Sequence, residues 1–249
     1  MRMKGNTIFI SGGGSGIGRA LAEAFQRSGN QVIIAGRRKA VLDEVTRANP
    51  GMAAKVLDME NAADIQSIAQ ELIREFPKLN VVIHSAGIMR LESLQTDGTD
   101  IAETTVATNL LGPIRLNTAL MPFLLSQPDA TIMTVSSGLA FVPRVTTPSY
   151  AASKAAIHSY TLSLRSQLRD SKIQVIELIP PYVQTELMGP DQAKDPNAMP
   201  LKDFIAESLG ILANSPHAEE VCVERVKVLR FAERSGNYDA ILTRLNGLG

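Results

Sequence analysis

The chain holds a single cysteine, Cys222, so no disulfide can form within it. That suits a reducing compartment. Its neighbours Val221 and Val223 are apolar, and the thiol reads as a packed side chain rather than a nucleophile. Histidine is scarce too. His84, His158 and His217 share no ligand spacing, so no metal site is expected. Neither charge is in excess, because 25 Lys+Arg stand against 25 Asp+Glu. This balance points away from nucleic acid and anionic membranes as partners. No apolar span approaches the roughly 20 residues that a membrane helix needs. The run after Met1-Arg-Met-Lys-Gly5 stops at Gly12, too short for a signal-peptide core with a cleavage site. Internal repeats and low-complexity tracts are missing as well. These absences predict a soluble cytoplasmic protein.

What is present is ample apolar material: 45% of 249 residues, enough for a sheet covered on both faces and one α/β domain spanning residues 1–249. Thr7-Ile-Phe-Ile10 reads as a strand and ends in Ser11-Gly-Gly-Gly-Ser-Gly-Ile-Gly18. A helical pattern follows, with Ile17, Ala20, Leu21, Ala24 and Phe25 on one face, and Gly29 stops it. Strand, glycine-rich turn and helix form the setting of a dinucleotide fingerprint. Helix N-terminal N–H groups bind phosphate, and glycine lets it approach. The candidate contacts are Gly12, Gly14, Ser15, Gly16, Ile17 and Gly18. The next strand, Val32–Ala35, leads into Gly36-Arg37-Arg38 with no acid. An acid there would bond the 2′-hydroxyl of NAD, and an arginine accommodates the 2′-phosphate of NADP. Arg37 and Arg38 therefore predict NADP(H) over NAD(H).

Helical and strand-like segments then alternate. Val41–Ala48, Ala62–Phe76, Ile101–Leu125 (interrupted near Asn109 to Pro113) and a helix from Tyr150 to about Asp170 separate strands at Ala53–Leu57, Val81–Ile83, Thr131–Val135 and Gln174–Ile179. This order predicts a doubly wound parallel sheet with right-handed crossovers. Ligands bind at the carboxyl ends of such strands. There stand the glycine loop, Arg37, Asp58, Ala86-Gly87, Ser137 and Pro180. Tyr150 and Lys154, four apart, share a helix face. An ammonium beside a tyrosine lowers a pKa that is otherwise about 10, which makes a usable acid or base. Alone, the pair proves little and reads more readily as a surface tyrosine with a solvated lysine.

In combination these motifs resemble the short-chain dehydrogenase/reductase family over about Thr7 to Leu187. The carriers are the wide glycine spacing, Ala86-Gly87, paired serines thirteen residues before Tyr-x-x-x-Lys, and a proline-led loop after the sixth strand. The resemblance implies Tyr150 as catalytic acid/base and Lys154 as the group that lowers its pKa and bonds the nicotinamide ribose. It implies Ser137 as the substrate-orienting hydroxyl, and Asn109 as the holder of a proton-relay water in an interrupted helix. Asp58 and Met59 would lie at the adenine, and Ser85, Ala86 and Gly87 along the cofactor. Pro180, Val183 and Thr185 would hold the nicotinamide amide. The implied reaction is transfer of the pro-S hydride between NADP(H) and a small carbonyl or alcohol substrate. Leu139, Phe141, Val142, Tyr182, Leu187 and Met188 would wall the pocket, under a mobile lid from Leu187 to Leu201.

The chain departs from the family in places. His84-Ser85 replaces a usual Asn-Asn, and Pro181 a usual glycine. His84 either bonds across the sheet through its ring or is simply buried. The run Pro180-Pro-Tyr-Val-Gln-Thr-Glu-Leu187 resembles a bacterial subgroup of oxidoreductases linked to D-alanine transfer onto teichoic acids, a link that carries nothing catalytic. The tail reads as helical: Leu201–Ala213, Ala218–Ser235 with interleaved charges and Glu219-Glu220 at its start, and Asp239–Leu245. Six strands are thus expected, with residues 187–249 as lid and helical tail. In the family a seventh strand builds one of two dimer contacts, and its loss predicts a homodimer through the helices holding Asn109 and Tyr150. A catalytically silent NADP(H) sensor is the rival reading, which loss of a catalytic residue would favour. A sugar-nucleotide epimerase needs a larger C-terminal domain than the residues after Ile179 allow.

Overall fold

The computed structural model describes residues 1–248. Its strands are β1 (Thr7–Ser11), β2 (Gln31–Gly36), β3 (Ala53–Val56), β4 (Leu79–His84), β5 (Ala130–Val135), β6 (Ile173–Ile179) and β7 (Glu220–Cys222). Its helices are α1 (Gly16–Arg27), α2 (Lys39–Ala48), α3 (Ala62–Glu75), α4 (Asp100–Val106), α5 (Gly112–Ser126), α6 (Pro148–Gln167), α7 (Leu201–Asn214), α8 (Lys227–Arg230) and α9 (Tyr238–Asn246). The strands form one parallel sheet in the order β3-β2-β1-β4-β5-β6-β7. Strand order reverses between β1 and β4, and a crevice opens there at the carboxyl ends.

Strand alternation sorts the core into two layers. Ile8, Ile10, Val32 and Ile34 face Leu21, Phe25, Leu42 and Phe204 on one side. Phe9, Ile33, Val82 and Ile132 face Ile65, Leu72, Leu116 and Leu164 on the other. Each fully buried side chain of this size contributes about 1.5–3 kcal/mol. A one-residue slip in β1 would exchange the layers, so burial fixes the register.

The sheet has seven strands, not six. β7 pairs parallel with β6 through Glu177↔Glu220, Leu178↔Val221 and Ile179↔Cys222. A three-residue strand is too short to show a period, and the charges around it imitate a helix. They have other work. Both Glu220 oxygens accept from Arg230, at 3.0 and 2.7 Å. Val221, Val223 and Val226 are fully buried. The expected helix over Ala218–Ser235 is therefore a strand, a 3-10 turn at Glu224–Val226 and the single turn of α8. The expected helices at Leu201 and Asp239 are present as α7 and α9. With β7 in place, the argument for a homodimer from its absence loses its ground. Cys222 is half-buried, and burial pushes its thiol up to about 11, in keeping with a packed side chain.

The tail then folds back over the loop that leads into α6. Val142, Ala232 and Ile241 form a small core joined by Leu229 and Leu245. The Asn246 amide donates to the Pro143 carbonyl (3.1 Å) and accepts from the Val145 N–H (2.8 Å).

Candidate active site

The crevice holds a cleft of about 600 Å³ and beside it a smaller one of about 170 Å³. At their shared wall the glycine loop turns tightly. Gly12 has φ +72°, and a Cβ there would lie 2.7 Å from the Ala86 backbone. A Cβ on Gly18 would lie 2.3 Å from the Gly12 carbonyl oxygen. Only glycine lets loop, helix and β4 approach this closely. Ser15 caps α1 without a side-chain hydrogen bond, so the first N–H groups of the helix remain open toward the cleft. Two buried hydroxyls on the walls, Ser136 Oγ and Thr108 Oγ1, have no partner. A phosphate-bearing ligand with polar rings suits this set of donors and orphaned hydroxyls.

Every residue singled out for the cofactor lines one cleft or the other. Gly16, Ile17, Gly18, Ser85, Pro180, Val183 and Thr185 line the larger. Gly14, Arg37, Asp58 and Met59 line the smaller. Gly12, Ser15, Arg38, Ala86 and Gly87 line both. Arg37 and Arg38 are exposed, and among the described residues neither forms an ion pair.

Ser137, Tyr150 and Lys154 meet in the larger cleft. α6 carries Tyr150 and Lys154 on its buried face with Ala151, Ile157, Thr161 and Leu164. Pro148 starts that helix, and a 2.7 Å hydrogen bond between Thr161 and Thr134 pins it to β5. Burial pushes the Tyr150 phenol up to about 12, with the Ser137 hydroxyl pulling the other way. Lys154 Nζ sits 5.6 Å from the Tyr150 ring centroid and donates to the Val135 carbonyl at 2.8 Å. Burial lowers its pKa to about 8. At Tyr150 burial thus outweighs the Ser137 hydrogen bond, and the phenol is protonated at neutral pH.

Asn109 is the expected site residue that lines neither cleft. It lies in a π turn, Ala107–Leu111, at the expected interruption between α4 and α5. Its Oδ1 accepts from the Ile88 N–H (2.9 Å), and its Nδ2 donates to the Ile88 carbonyl (3.0 Å) and to Ser153 Oγ (3.1 Å). The side chain clamps the loop after β4 onto α6, behind Gly87. A Cβ on Gly87 would lie 3.3 Å from Asn109 Oδ1 and 3.6 Å from Lys154 Nζ. His84 bonds across to a helix: its Nε2 lies 2.7 Å from Asn117 Oδ1, and Asn117 Nδ2 donates to Tyr160. Burial lowers its pKa to about 4, so the ring is neutral.

At the substrate end, Leu139, Tyr182 and Leu187 line the cleft as expected, whereas Phe141, Val142 and Met188 do not. Val142 is buried under the tail, and Phe141 packs edge-on against His158, 4.8 Å away, with Arg230 stacked on its ring. Their places are taken by Leu229 and Leu245, together with Ile88, Arg90, Arg144 and Gln192. No local motif marks Leu229 and Leu245, because long-range folding of the tail puts them there. The segment expected as a lid is tied down: Gln192 Nε2 donates to the Val183 carbonyl (2.9 Å) and to Thr185 Oγ1 (3.1 Å), and Tyr182 donates to Asp195 (3.0 Å). Among the described residues no cluster of metal-ligating side chains occurs, and no helix is long and apolar enough to cross a membrane.

Sheet order, glycine cradle and buried Tyr–Lys pair define an α/β protein of the dinucleotide-binding class. The comparisons narrow that class. A family model described as short chain dehydrogenase matches residues 6–196. The chain is 36% identical to the uncharacterized oxidoreductase DltE of Bacillus subtilis over 99% of its own length and 98% of that protein. It is 30% identical to an uncharacterized oxidoreductase of Staphylococcus epidermidis over 75% of its length and 81% of that protein. The chain belongs to the short-chain dehydrogenase/reductase family. Its fold resembles that of a Burkholderia phymatum short chain dehydrogenase/reductase in complex with NAD (TM-score 0.82, 20% identity, 96% of each chain). It also resembles a Burkholderia cenocepacia short chain dehydrogenase in complex with NADP (TM-score 0.82, 23% identity, 98% and 99%).

Proposed function

We propose that the chain is one dinucleotide-binding and catalytic domain that moves a hydride between NADP(H) and a small carbonyl or alcohol compound, with Tyr150 as general acid/base. The observation that carries this reading is the meeting of Ser137, Tyr150 and Lys154 in the cleft that the glycine loop closes at its other end. When bound, the nicotinamide supplies the hydride. The chain's own groups do the rest. The open N-terminus of α1 and the loop Gly12–Gly18 hold phosphate. Asp58 and Met59 border the adenine end. Ser85, Ala86, Gly87, Pro180, Val183 and Thr185 flank the remainder.

Tyr150, protonated at neutral pH, gives its proton to the carbonyl oxygen, while Ser137 hydrogen-bonds that oxygen and orients it. Lys154 holds positive charge behind the phenol and stabilises the phenolate left after transfer. Asn109 positions the loop that borders the cofactor. A protonated phenol favours the reducing direction, because oxidation of an alcohol needs the phenolate.

The preference for NADP(H) rests on Arg37 and Arg38, which line the adenine end without an ion pair and follow β2 where an NAD-selecting acid would stand. Structures similar in fold hold NADP in one case and NAD in another, and the positive charge at this corner is what supports NADP(H) here. Fluorescence titration tests it. NADPH should bind tighter than NADH, and Arg37→Ala should weaken NADPH on the order of tenfold, the worth of a hydrogen bond to a charged group, with little effect on NADH. Equal affinities in the wild type would remove the assignment. Oxidation of NADPH with a panel of carbonyl compounds tests the reaction itself, and a chain that binds NADPH tightly but turns over none of them is the silent sensor instead.

A further inference from the structure

The substrate end of the cleft holds more positive charge than proton transfer at Tyr150 uses. Arg90 and Arg144 both line it. Five arginines are half-buried among the described residues: Arg19, Arg115, Arg144, Arg165 and Arg230. Four of them have acceptors. Arg19 pairs with Glu23 and Glu44, and Arg115 donates to the Glu60 carbonyl. Arg165 donates to the Val175 and Glu219 carbonyls, and Arg230 to both Glu220 oxygens. Arg144 alone among the five donates no side-chain hydrogen bond and forms no ion pair within the described residues.

A half-buried guanidinium without an acceptor is costly, because five N–H donors lose part of their water. The backbone that carries it is nonetheless held firmly. The Arg144 carbonyl accepts from the Thr147 N–H at 3.1 Å, and the Asn246 amide clamps the residues on either side, Pro143 and Val145. The guanidinium's charge reaches Tyr182, which lines the same cleft: burial and the bond to Asp195 raise that phenol's pKa, and Arg144 opposes them. Glu186, the acid that lines the cleft, is exposed, and neither it nor the Asp195 bonded to Tyr182 forms an ion pair with either arginine among the described residues. Apolar side chains of Leu139, Leu229 and Leu245 fill the rest of the wall.

We propose that the substrate is an anionic carbonyl compound, with an apolar body lying against Leu229 and Leu245 and a carboxylate or phosphate group taken by Arg144. This rests on the reading of Tyr150 as the group that meets the carbonyl. The planar fork of arginine matches either anion with two parallel hydrogen bonds. Overall the chain is neutral, so the attraction is local to the cleft.

Calorimetric titration of the full chain loaded with NADP⁺, which cannot reduce an aldehyde, tests the assignment with three related probes, 4-carboxybenzaldehyde, its methyl ester, and 4-formylphenyl phosphate, and NADPH oxidation with the same three is followed separately. At least one anion should bind about tenfold or more tighter than the neutral ester, the worth of a charge-assisted hydrogen bond. Whichever anion binds tighter identifies the group. Arg144→Gln should bring anion and ester to the same affinity, and Arg144→Lys should keep part of the difference. An ester that binds as well as both anions, a wild type that binds none of the three, or a preference untouched in Arg144→Gln overturns the proposal. The two readings fail separately. Anion selectivity without NADPH oxidation keeps Arg144 and removes Tyr150 as the acid. Oxidation that ignores charge does the reverse.

Discussion

The two ends of the cleft are made of different material. The cofactor end is made of backbone: open N–H groups of α1, a glycine at φ +72°, and a Gly18 that admits no Cβ beside the Gly12 carbonyl. The substrate end is made of side chains brought from far apart. Leu139 and Arg144 come from the loop before α6, and Leu229 and Leu245 from the tail. Val145 and Asn246, which hold loop and tail together, are 101 residues apart in sequence. A backbone site is specified within a dozen residues, so it tolerates little and shows plainly. A side-chain site is specified by folding across the whole chain, so it can vary while the frame stays fixed. The family model ends at residue 196, before the tail residues that wall the substrate end.

Tyr150 stands where the two ends join, and its replacement gives the largest expected effect. Tyr150→Phe keeps the ring in its buried place and removes only the proton donor. Turnover should fall about 10²- to 10⁴-fold, the usual worth of general acid catalysis, with NADPH affinity and melting temperature nearly unchanged. Activity retained within a few-fold would show that the acid lies elsewhere in the cleft.

Next comes a test of the backbone end. Gly18→Ala places a methyl group 2.3 Å from the Gly12 carbonyl oxygen and 3.1 Å from Ser85 Oγ. The loop must shift, at a cost of about 1–3 kcal/mol, and the N–H groups move with it. NADPH affinity should fall at least as far as in Arg37→Ala. Gly210 lies in α7 with nothing within 4 Å of its absent Cβ. Gly210→Ala should instead stabilise the fold by about 0.5–1 kcal/mol, because alanine has less freedom to lose than glycine. If both substitutions behave alike in denaturant titration and cofactor binding, the close approach at Gly18 is not what shapes the loop.

The same contrast explains what could be read in the sequence. β1, the glycine loop and α1 are consecutive, and apolar period and turn chemistry agree there. The interruption at Asn109 was legible as Gly112-Pro113 inside an apolar helix, although the clamp of its amide on Ile88 was not. β7 was misread because three residues have no period and Glu219, Glu220, Glu224 and Arg225 imitate a charged helix face. Its strand character comes from Val221 packing beside β6 at zero exposure, which is a tertiary fact. Phe141 and Val142 were apolar and near Ser137, so they looked like pocket wall until the tail claimed them. Arg144 gave no signal, since a lone arginine in a loop is ordinary until its partners are counted.

Lys154 offers the subtlest test, because it is the buried charged side chain where Ser137, Tyr150 and Lys154 meet. Only 6% exposed, it is lowered from 10.5 to about 8 by burial, with one carbonyl as acceptor. The unfolded chain keeps its proton to higher pH than the folded one does. Between pH 8 and 10.5 the unfolded state therefore binds more protons, and this group's contribution to stability rises with pH. Below pH 8 the full cost of burying the charge is present, on the order of 3 kcal/mol for a shift of this size. Lys154→Met removes that cost and strands the Val135 carbonyl, worth about 1 kcal/mol. The variant should therefore be more stable than the wild type at pH 7, and its advantage should shrink steadily as the pH is raised toward 10, while turnover is lost at every pH. Denaturant midpoints of the two proteins measured across that range decide the matter. A constant difference would mean that Lys154 titrates alike folded and unfolded, and that its charge is solvated rather than held in reserve behind Tyr150.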